Sequence, residues 1–176
     1  EVLLGKWLGL AALLAGYAAG VCALEFGVVR VSSGFLPPDP VLAGVYLFGE
    51  GALLLSLSLL LSTRMPAIAA GVIGVAVFGA GWLAGVVGTL GSTLNISALR
   101  TIGQIGRFAL PTDGLWHAAI YYLQTPSLLA ESLNEGRQGN PFLAQGAPSA
   151  AYLAWVLCWF VIVMGVAVAS LERREL

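Results

Sequence analysis

The ionisable residue most able to do chemistry in this sequence is Glu50, which lies between Gly49 and Gly51 in the middle of a long apolar stretch. A charged side chain at the centre of a bilayer costs about 2.5–3.5 kcal/mol on insertion scales. Glu50 is therefore expected to face the protein interior, a cavity or a partner. Two roles remain open: a carboxylate that lines or gates a pathway, and a protonated, hydrogen-bonded carboxyl that fixes helix packing.

Residues that would support other chemistries are sparse. The single histidine, His117, has no cysteine pair near it, so the sequence contains no metal-ligand cluster of the usual kinds. A Gly-x-x-x-x-Gly-Lys-Ser/Thr phosphate loop and a Gly-x-Ser-x-Gly nucleophile elbow are both missing. We expect His117, beside Trp116, to lie on the polar face of an interfacial helix rather than to act as a catalyst. The sequence predicts no enzyme activity and no cofactor.

The elements that must position Glu50 follow from composition. Hydrophobic residues make up 59% of the chain and charged residues only 10%, whereas a soluble domain carries about 25% charged residues. Four stretches approach the roughly 20 apolar residues that a membrane-spanning helix needs: residues 3–29, 41–62, 66–90 and 150–171. Backbone groups in lipid must be hydrogen-bonded within their own segment, so we predict helices. The prediction is one all-α polytopic membrane domain over residues 1–176, with about four transmembrane helices. The net charge of −1 gives no support for nucleic-acid binding.

Glycines in the first stretch recur at steps of seven, four and seven residues, which places them on one stripe of a helix. They are Gly9, Gly16, Gly20 and Gly27. Such a stripe lets a second helix approach closely. The alternative is that glycine is simply common in membrane helices. The third stretch carries a shorter pair of the same spacing, Gly81 and Gly85, for which both explanations are open.

The segment over residues 91–149 is too polar to span a bilayer and too apolar for an ordinary linker. In residues 96–110 apolar positions recur every three or four residues, while Arg100, Gln104 and Arg107 take the other side. This pattern favours an amphipathic helix at the membrane surface. Thr112 and Asp113 are candidate caps of a second short helix that continues to about residue 124. Residues 131–148 are predicted to form an exposed loop.

Basic residues near the ends of the stretches predict the orientation. An even number of spans places both termini on one side, together with the short turn at residues 63–66. The basic residues on that side are Lys6, Arg64, Arg173 and Arg174. Only Arg30 and Arg100 lie close to spans on the other side. By the positive-inside rule, both ends of the chain are predicted to be cytoplasmic and residues 91–149 extracytoplasmic.

Four stretches of the chain resemble, in order, parts of an ABC transporter permease of the type-2 ABC membrane family of exporters. Residues 3–9, with Gly5-Lys6, are similar to the start of that family's third membrane helix. Residues 57–74, with Leu-Ser-Thr-Arg-Met-Pro at their centre, resemble the cytoplasmic turn between its fourth and fifth helices. Residues 102–123, with Leu-Pro-Thr-Asp-Gly-Leu-Trp, resemble the segment before the last helix, and residues 171–176 resemble the charged cytoplasmic end.

The resemblance implies a function and a set of partners. It implies a fragment with helices three to six of a six-helix permease subunit in the plasma or inner membrane. The permease would form the translocation pathway, with a second permease half in a homodimer or heterodimer and with a separate ATP-binding cassette ATPase that hydrolyses ATP. A different class of function remains open from the residues alone, namely a membrane scaffold or assembly subunit that conducts nothing.

Overall fold

The computed structural model describes residues 2–134 and 140–172, and these two ranges contain seven helices and no strand. The helices are α1 (Val2–Ser33), α2 (Pro40–Ser62), α3 (Ala67–Thr93), α4 (Ser97–Ala109), α5 (Thr112–Leu123), α6 (Pro126–Asn134) and α7 (Ala150–Glu172). Four of them, α1, α2, α3 and α7, are long and apolar enough to cross a bilayer. The predicted all-α polytopic bundle with four transmembrane helices and shorter amphipathic helices is confirmed.

Proline, glycine and asparagine set the helix ends where the sequence requires a break. Pro40 begins α2, where its missing N–H would have no partner in the helix. Gly34 ends α1 with φ +71°, a conformation that residues with a side chain rarely adopt. Asn95 turns the chain between α3 and α4 with φ +56°, and asparagine is one of the few other residues that tolerate this region.

Polar side chains tie the short turn between α2 and α3 to the end of α7. The Nε of Arg64 donates to the Oγ of Ser170 at 2.7 Å, and the hydroxyl of Thr63 lies 3.0 Å from the same oxygen. Near the start of α1, the indole N–H of Trp7 donates to Ser56 at 3.0 Å. The start of α1, this turn and the end of α7 therefore lie on one side of the bundle. Their cytoplasmic location stays a prediction, and Arg173 and Arg174 lie outside the described residues.

Helix α1 is the least buried of the four long helices. A Cβ placed on Gly9, Gly16, Gly20 or Gly27 would meet nothing within 4 Å in the described chain. The glycine stripe therefore packs against no other described element. Its predicted role in helix packing would require a contact with something outside the described residues. Large apolar side chains of α1, such as Leu13 and Tyr17, are more than 70% exposed, as expected for a surface that faces lipid.

Helix α4 packs antiparallel to α3 through small residues on both helices. Gly91 of α3 lies against Leu99, Gly88 lies against Gly103, and Gly81 lies against Leu110. A Cβ on Gly88 would lie 2.8 Å from the Cα of Gly103, so the two backbones are in direct contact. Glycine in α3 therefore serves close helix packing at these positions, including Gly81 of the predicted pair.

Helix α5 returns in the opposite direction along α2. Leu115 lies beside Gly49, and further along, the rings of Tyr122 and Tyr46 stack with centroids 5.6 Å apart. The backbone N–H of Asp39, just before α2, donates to the carbonyl of Tyr122 at 3.3 Å. Helices α4 and α5 thus form a hairpin that enters between α3, α2 and α7 and leaves on the same side. We call it the re-entrant hairpin. The sequence predicted both helices, but at the membrane surface and not folded inward. The amphipathic pattern of α4 does not reveal that its small residues match those of α3.

The predicted exposed loop over residues 131–148 differs in two ways from the structure. Helix α6 continues to Asn134, and Ala144 is buried with 1% exposure. With the side-chain amide of Gln124 flipped so that its NH₂ faces the carbonyl of Ala144, Gln124 donates to that carbonyl at 3.1 Å. Its amide oxygen then accepts from the N–H of Ala144 at 3.2 Å. Glycine, asparagine and proline indicated irregular backbone correctly, but they carry no information on burial.

Candidate functional site at the hairpin tip

The tip of the re-entrant hairpin, residues 108–113, lies deep in the bundle. The packing of α3 against α4 runs from Gly91 to Gly81, which are ten residues apart. At 1.5 Å per residue, the tip lies about 15 Å further along α3 than Gly91. This distance corresponds to half the thickness of a hydrocarbon core of about 30 Å. Leu110 of the tip and Leu115 just after it belong to the buried core cluster with Trp159 of α7.

Helix α7 supplies hydrogen-bond donors to the backbone of the tip. The last carbonyls of a helix have no partner within it, and no water is available to them in a bilayer core. The indole N–H of Trp159 donates to the carbonyl of Ala109 at 2.8 Å, and that of Trp155 donates to the carbonyl of Phe108 at 3.2 Å. The hydroxyl of Tyr152 donates to the carbonyl of Pro111. The spacing of 152, 155 and 159 places these three donors on one face of α7.

An ion pair spans the tip from the last turn of α4 to the first turn of α5. The Nε of Arg107 donates to Oδ2 of Asp113 at 2.7 Å. The side chain of Asp113 is 1% exposed and that of Arg107 is 47% exposed. A cation at a helix C-terminus and an anion at a helix N-terminus both interact favourably with the helix dipoles. The ion pair therefore joins the two helices of the hairpin, and each charged group also interacts favourably with the dipole of its own helix.

Gly85 of α3 creates the space for this buried carboxylate. A Cβ built on Gly85 would overlap the carboxylate of Asp113, so only glycine leaves room there. Of the two explanations left open for the Gly81 and Gly85 pair, close packing is the one that the structure shows. The partner is the re-entrant hairpin and not a neighbouring transmembrane helix.

His117, one turn after Asp113, links α5 to the segment before α7. Its Nδ1 lies 2.8 Å from the backbone carbonyl of Asp113, and its Nε2 lies 3.0 Å from the carbonyl of Pro141. The same Nδ1 is 3.5 Å from Oδ1 of Asp113. Both ring nitrogens therefore face backbone carbonyl oxygens, and the contacts connect α5 with the segment before α7.

Glu50, in the middle of α2, is buried at 9% exposure on the part of the helix that packs against α5. The flanking glycines face different neighbours: a Cβ on Gly51 would lie 3.0 Å from Leu14 of α1, and one on Gly49 would lie 3.8 Å from Leu115 of α5. Glu50 is thus directed into the bundle, and both of the roles left open for it are compatible with this position.

Sequence reasoning missed the importance of Asp113. It was expected to cap α5, but Pro111 occupies the cap position, and Thr112 and Asp113 are the first two residues of the helix. The available signal was an arginine and an aspartate on either side of a proline in an otherwise apolar segment. The hydroxyl of Thr112 and Oδ1 of Asp113 are buried without a hydrogen bond among the described residues.

Arg107 and Asp113 thus pair at the tip, and the buried Glu50 lies on α2 next to Gly49, which faces Leu115 of α5. The described part of the chain contains no group of three or more metal-ligating residues. These side chains can attract, order or repel a charged group inside the bundle. Comparison of the chain with protein-family models, with curated proteins and with solved structures finds no match.

Proposed function

We propose that this chain is a membrane-spanning part of an ABC-type export permease. It would form part of a translocation pathway together with a second permease half, with ATP hydrolysed by a separate ATPase subunit and with both ends of the chain in the cytoplasm. The alternative is a scaffold or assembly subunit that conducts nothing.

The observation that carries the proposal is the placement of charged groups at the hairpin tip. Glu50, Arg107 and Asp113 lie at about half the depth of the bundle, where ionisable groups are costly and are used mainly along pathways for ions or substrates. Transporters place irregular backbone at this depth only where it is buried in protein or lines a cavity.

Two of the stretches that carry the family resemblance support the proposal by their positions. The Leu-Pro-Thr-Asp-Gly-Leu-Trp stretch supplies Asp113 and the Pro111 carbonyl that accepts from Tyr152 of α7. The Leu-Ser-Thr-Arg-Met-Pro stretch forms the turn from which Arg64 reaches Ser170. Both stretches therefore lie at connections between helices, where their contacts give a structural reason for the particular residues that occur.

The decisive experiment purifies the tagged full-length protein from its native membranes and measures ATP hydrolysis in the isolated complex. The proposal predicts a co-purified ATPase whose activity rises in the presence of the permease. Loss of every ATPase from the complex under gentle extraction, with the protein still folded, would favour the scaffold instead.

Glu50 then distinguishes a role in the pathway from a role in packing. Glu50→Gln keeps shape and hydrogen bonding and removes the ionisable group, whereas Glu50→Leu removes both. Glu25→Gln, on the exposed surface of α1, is the matched control. In the pathway role all three variants assemble with the ATPase, and the Gln variant at position 50 already loses ATP-driven export. In the packing role that variant exports normally and the Leu variant fails to assemble. Normal assembly and export in both variants at position 50 would exclude both roles.

A further inference from the structure

A cavity of about 810 Å³ lies on the outer side of the hairpin tip. Its walls come from α3, α4, the starts of α5 and α7, and the segment over residues 140–146. Gly88 and Gly103, where the backbones of α3 and α4 touch, lie on one wall, and Tyr152 lies on another. The volume is in the range of sites that bind small molecules.

One face of α4 gives the cavity its charge. Arg100, Gln104 and Arg107 recur at steps of four and three residues, so they line the same side over about 10 Å of helix. The acidic residue of the cavity wall is Asp113, and its Oδ2 already accepts from Arg107. Among the described residues, the side chain of Arg100 hydrogen-bonds a neutral partner, the amide oxygen of Asn95, at 2.9 Å. The wall therefore carries two guanidinium groups and one carboxylate.

The arginines retain donors that no described residue uses. Arg107 binds Asp113 through Nε, which leaves both terminal amino groups for a ligand. Arg100 uses one Nη2 bond to Asn95. Nearby, Asn140 accepts a bond from the N–H of Phe142 through its oxygen, so its amide NH₂ also stays available. Guanidinium groups with free N–H pairs match the paired oxygens of phosphate and carboxylate.

An aromatic surface adjoins these donors. Phe108 of α4 and Trp155 of α7 stack with ring centroids 4.2 Å apart, and both line the cavity. The site therefore combines a cationic wall with an apolar edge. This combination suits an anionic group attached to an apolar body better than a fully hydrated anion.

We propose that this cavity is a binding site for an oxyanion, a phosphate or carboxylate group, held by Arg100 and Arg107. The group comes either from the headgroup of an anionic lipid or from a free anion in the aqueous phase. The site is independent of the proposed transport function, since a scaffold could equally hold such a ligand.

The test measures binding to the purified full-length protein with two probes. Native mass spectrometry compares the retention of phosphatidylglycerol with that of phosphatidylcholine, and thermal unfolding is followed with and without inorganic phosphate. The variants are Arg100→Gln and, as a matched control of the same charge change outside the cavity, Arg30→Gln. Arg100 is exposed, and among the described residues its side chain hydrogen-bonds Asn95 and not Asp113, so its replacement leaves the ion pair of the tip intact. Arg100→Lys is a second variant, which keeps the charge and loses the paired N–H geometry.

A lipid source predicts one phosphatidylglycerol retained per chain in preference to phosphatidylcholine. Arg100→Gln should weaken this retention about tenfold, because a charge-assisted hydrogen bond is lost, and Arg30→Gln should not change it. A free-anion source predicts no lipid preference, together with a phosphate-dependent rise in the unfolding midpoint that Arg100→Gln abolishes. Arg100→Lys should give an intermediate effect in either case. The proposal fails if neither probe distinguishes Arg100→Gln from Arg30→Gln.

Discussion

The hydrogen bond from Trp159 to the hairpin tip should contribute measurably to stability. Its indole N–H donates to the carbonyl of Ala109 at 2.8 Å, and the Trp159 side chain is 9% exposed. Trp159→Phe keeps an aromatic ring and removes the donor, which leaves a helix-terminal carbonyl without a partner where water is scarce. We expect a loss of about 1–2 kcal/mol from the missing hydrogen bond, in addition to the effect of the smaller ring.

Trp116 provides the matched control. Its indole N–H is also buried, but it has no hydrogen-bond partner among the described residues. Trp116→Phe therefore shrinks a ring in the same way and breaks no hydrogen bond. The difference between the two variants isolates the contribution of the bond from Trp159.

The assay is equilibrium unfolding of the purified full-length protein in mixed micelles by titration with sodium dodecyl sulfate. A difference of about 1.4 kcal/mol corresponds to a tenfold change in the folding equilibrium constant, which such titrations resolve. Equal destabilisation by Trp159→Phe and Trp116→Phe would refute the reasoning, because the carbonyl at the tip would then not depend on α7.

Three further predictions test the re-entrant hairpin and the topology. Gly85→Ala should destabilise the protein by about 1–3 kcal/mol, since the added methyl group overlaps the buried carboxylate at the tip, whereas Gly79→Ala, with nothing within 4 Å, should be neutral in the same titration. A nitroxide label at Ile105, one turn before the tip and 63% exposed, should give the depth profile of the bilayer interior, while a label at Ser97 should give that of the surface; equal shallow depths would mean that the hairpin lies flat. In intact cells a cysteine at Ala67 should be shielded from an impermeant thiol reagent and one at Ser97 should react, and the reverse pattern would invert the orientation.

Apolar runs by themselves determined the class of the protein and its four long helices. Each of the predicted stretches coincides with a helix to within a few residues, for example residues 41–62 with α2. Local composition is sufficient here because a helix in lipid satisfies its backbone within its own segment, without help from distant residues. The same reasoning predicted from the cost of exposing Glu50 to lipid that it faces the bundle interior, a cavity or a partner, and Glu50 is buried.

The path of the polar segment was decided by tertiary structure. The pattern in residues 96–124 predicted two short helices, and these are α4 and α5. Whether such helices lie flat on the membrane or fold inward depends on which residues of the other helices their small residues contact. Gly88 and Gly103 are unremarkable in the sequence and become an interhelical contact only when α4 lies against α3.

The charged site has the same origin. The sequence predicted Arg107 as a residue of a surface helix and Asp113 as a helix cap. In the structure the hairpin pairs them, and Gly85 leaves room for the Asp113 carboxylate. The sequence could determine which residues avoid lipid, because that energy is a property of each side chain and its segment. It could not determine which of them meet, because those contacts depend on distances between residues far apart in the chain, such as Ala109 and Trp159, that only the packed bundle defines.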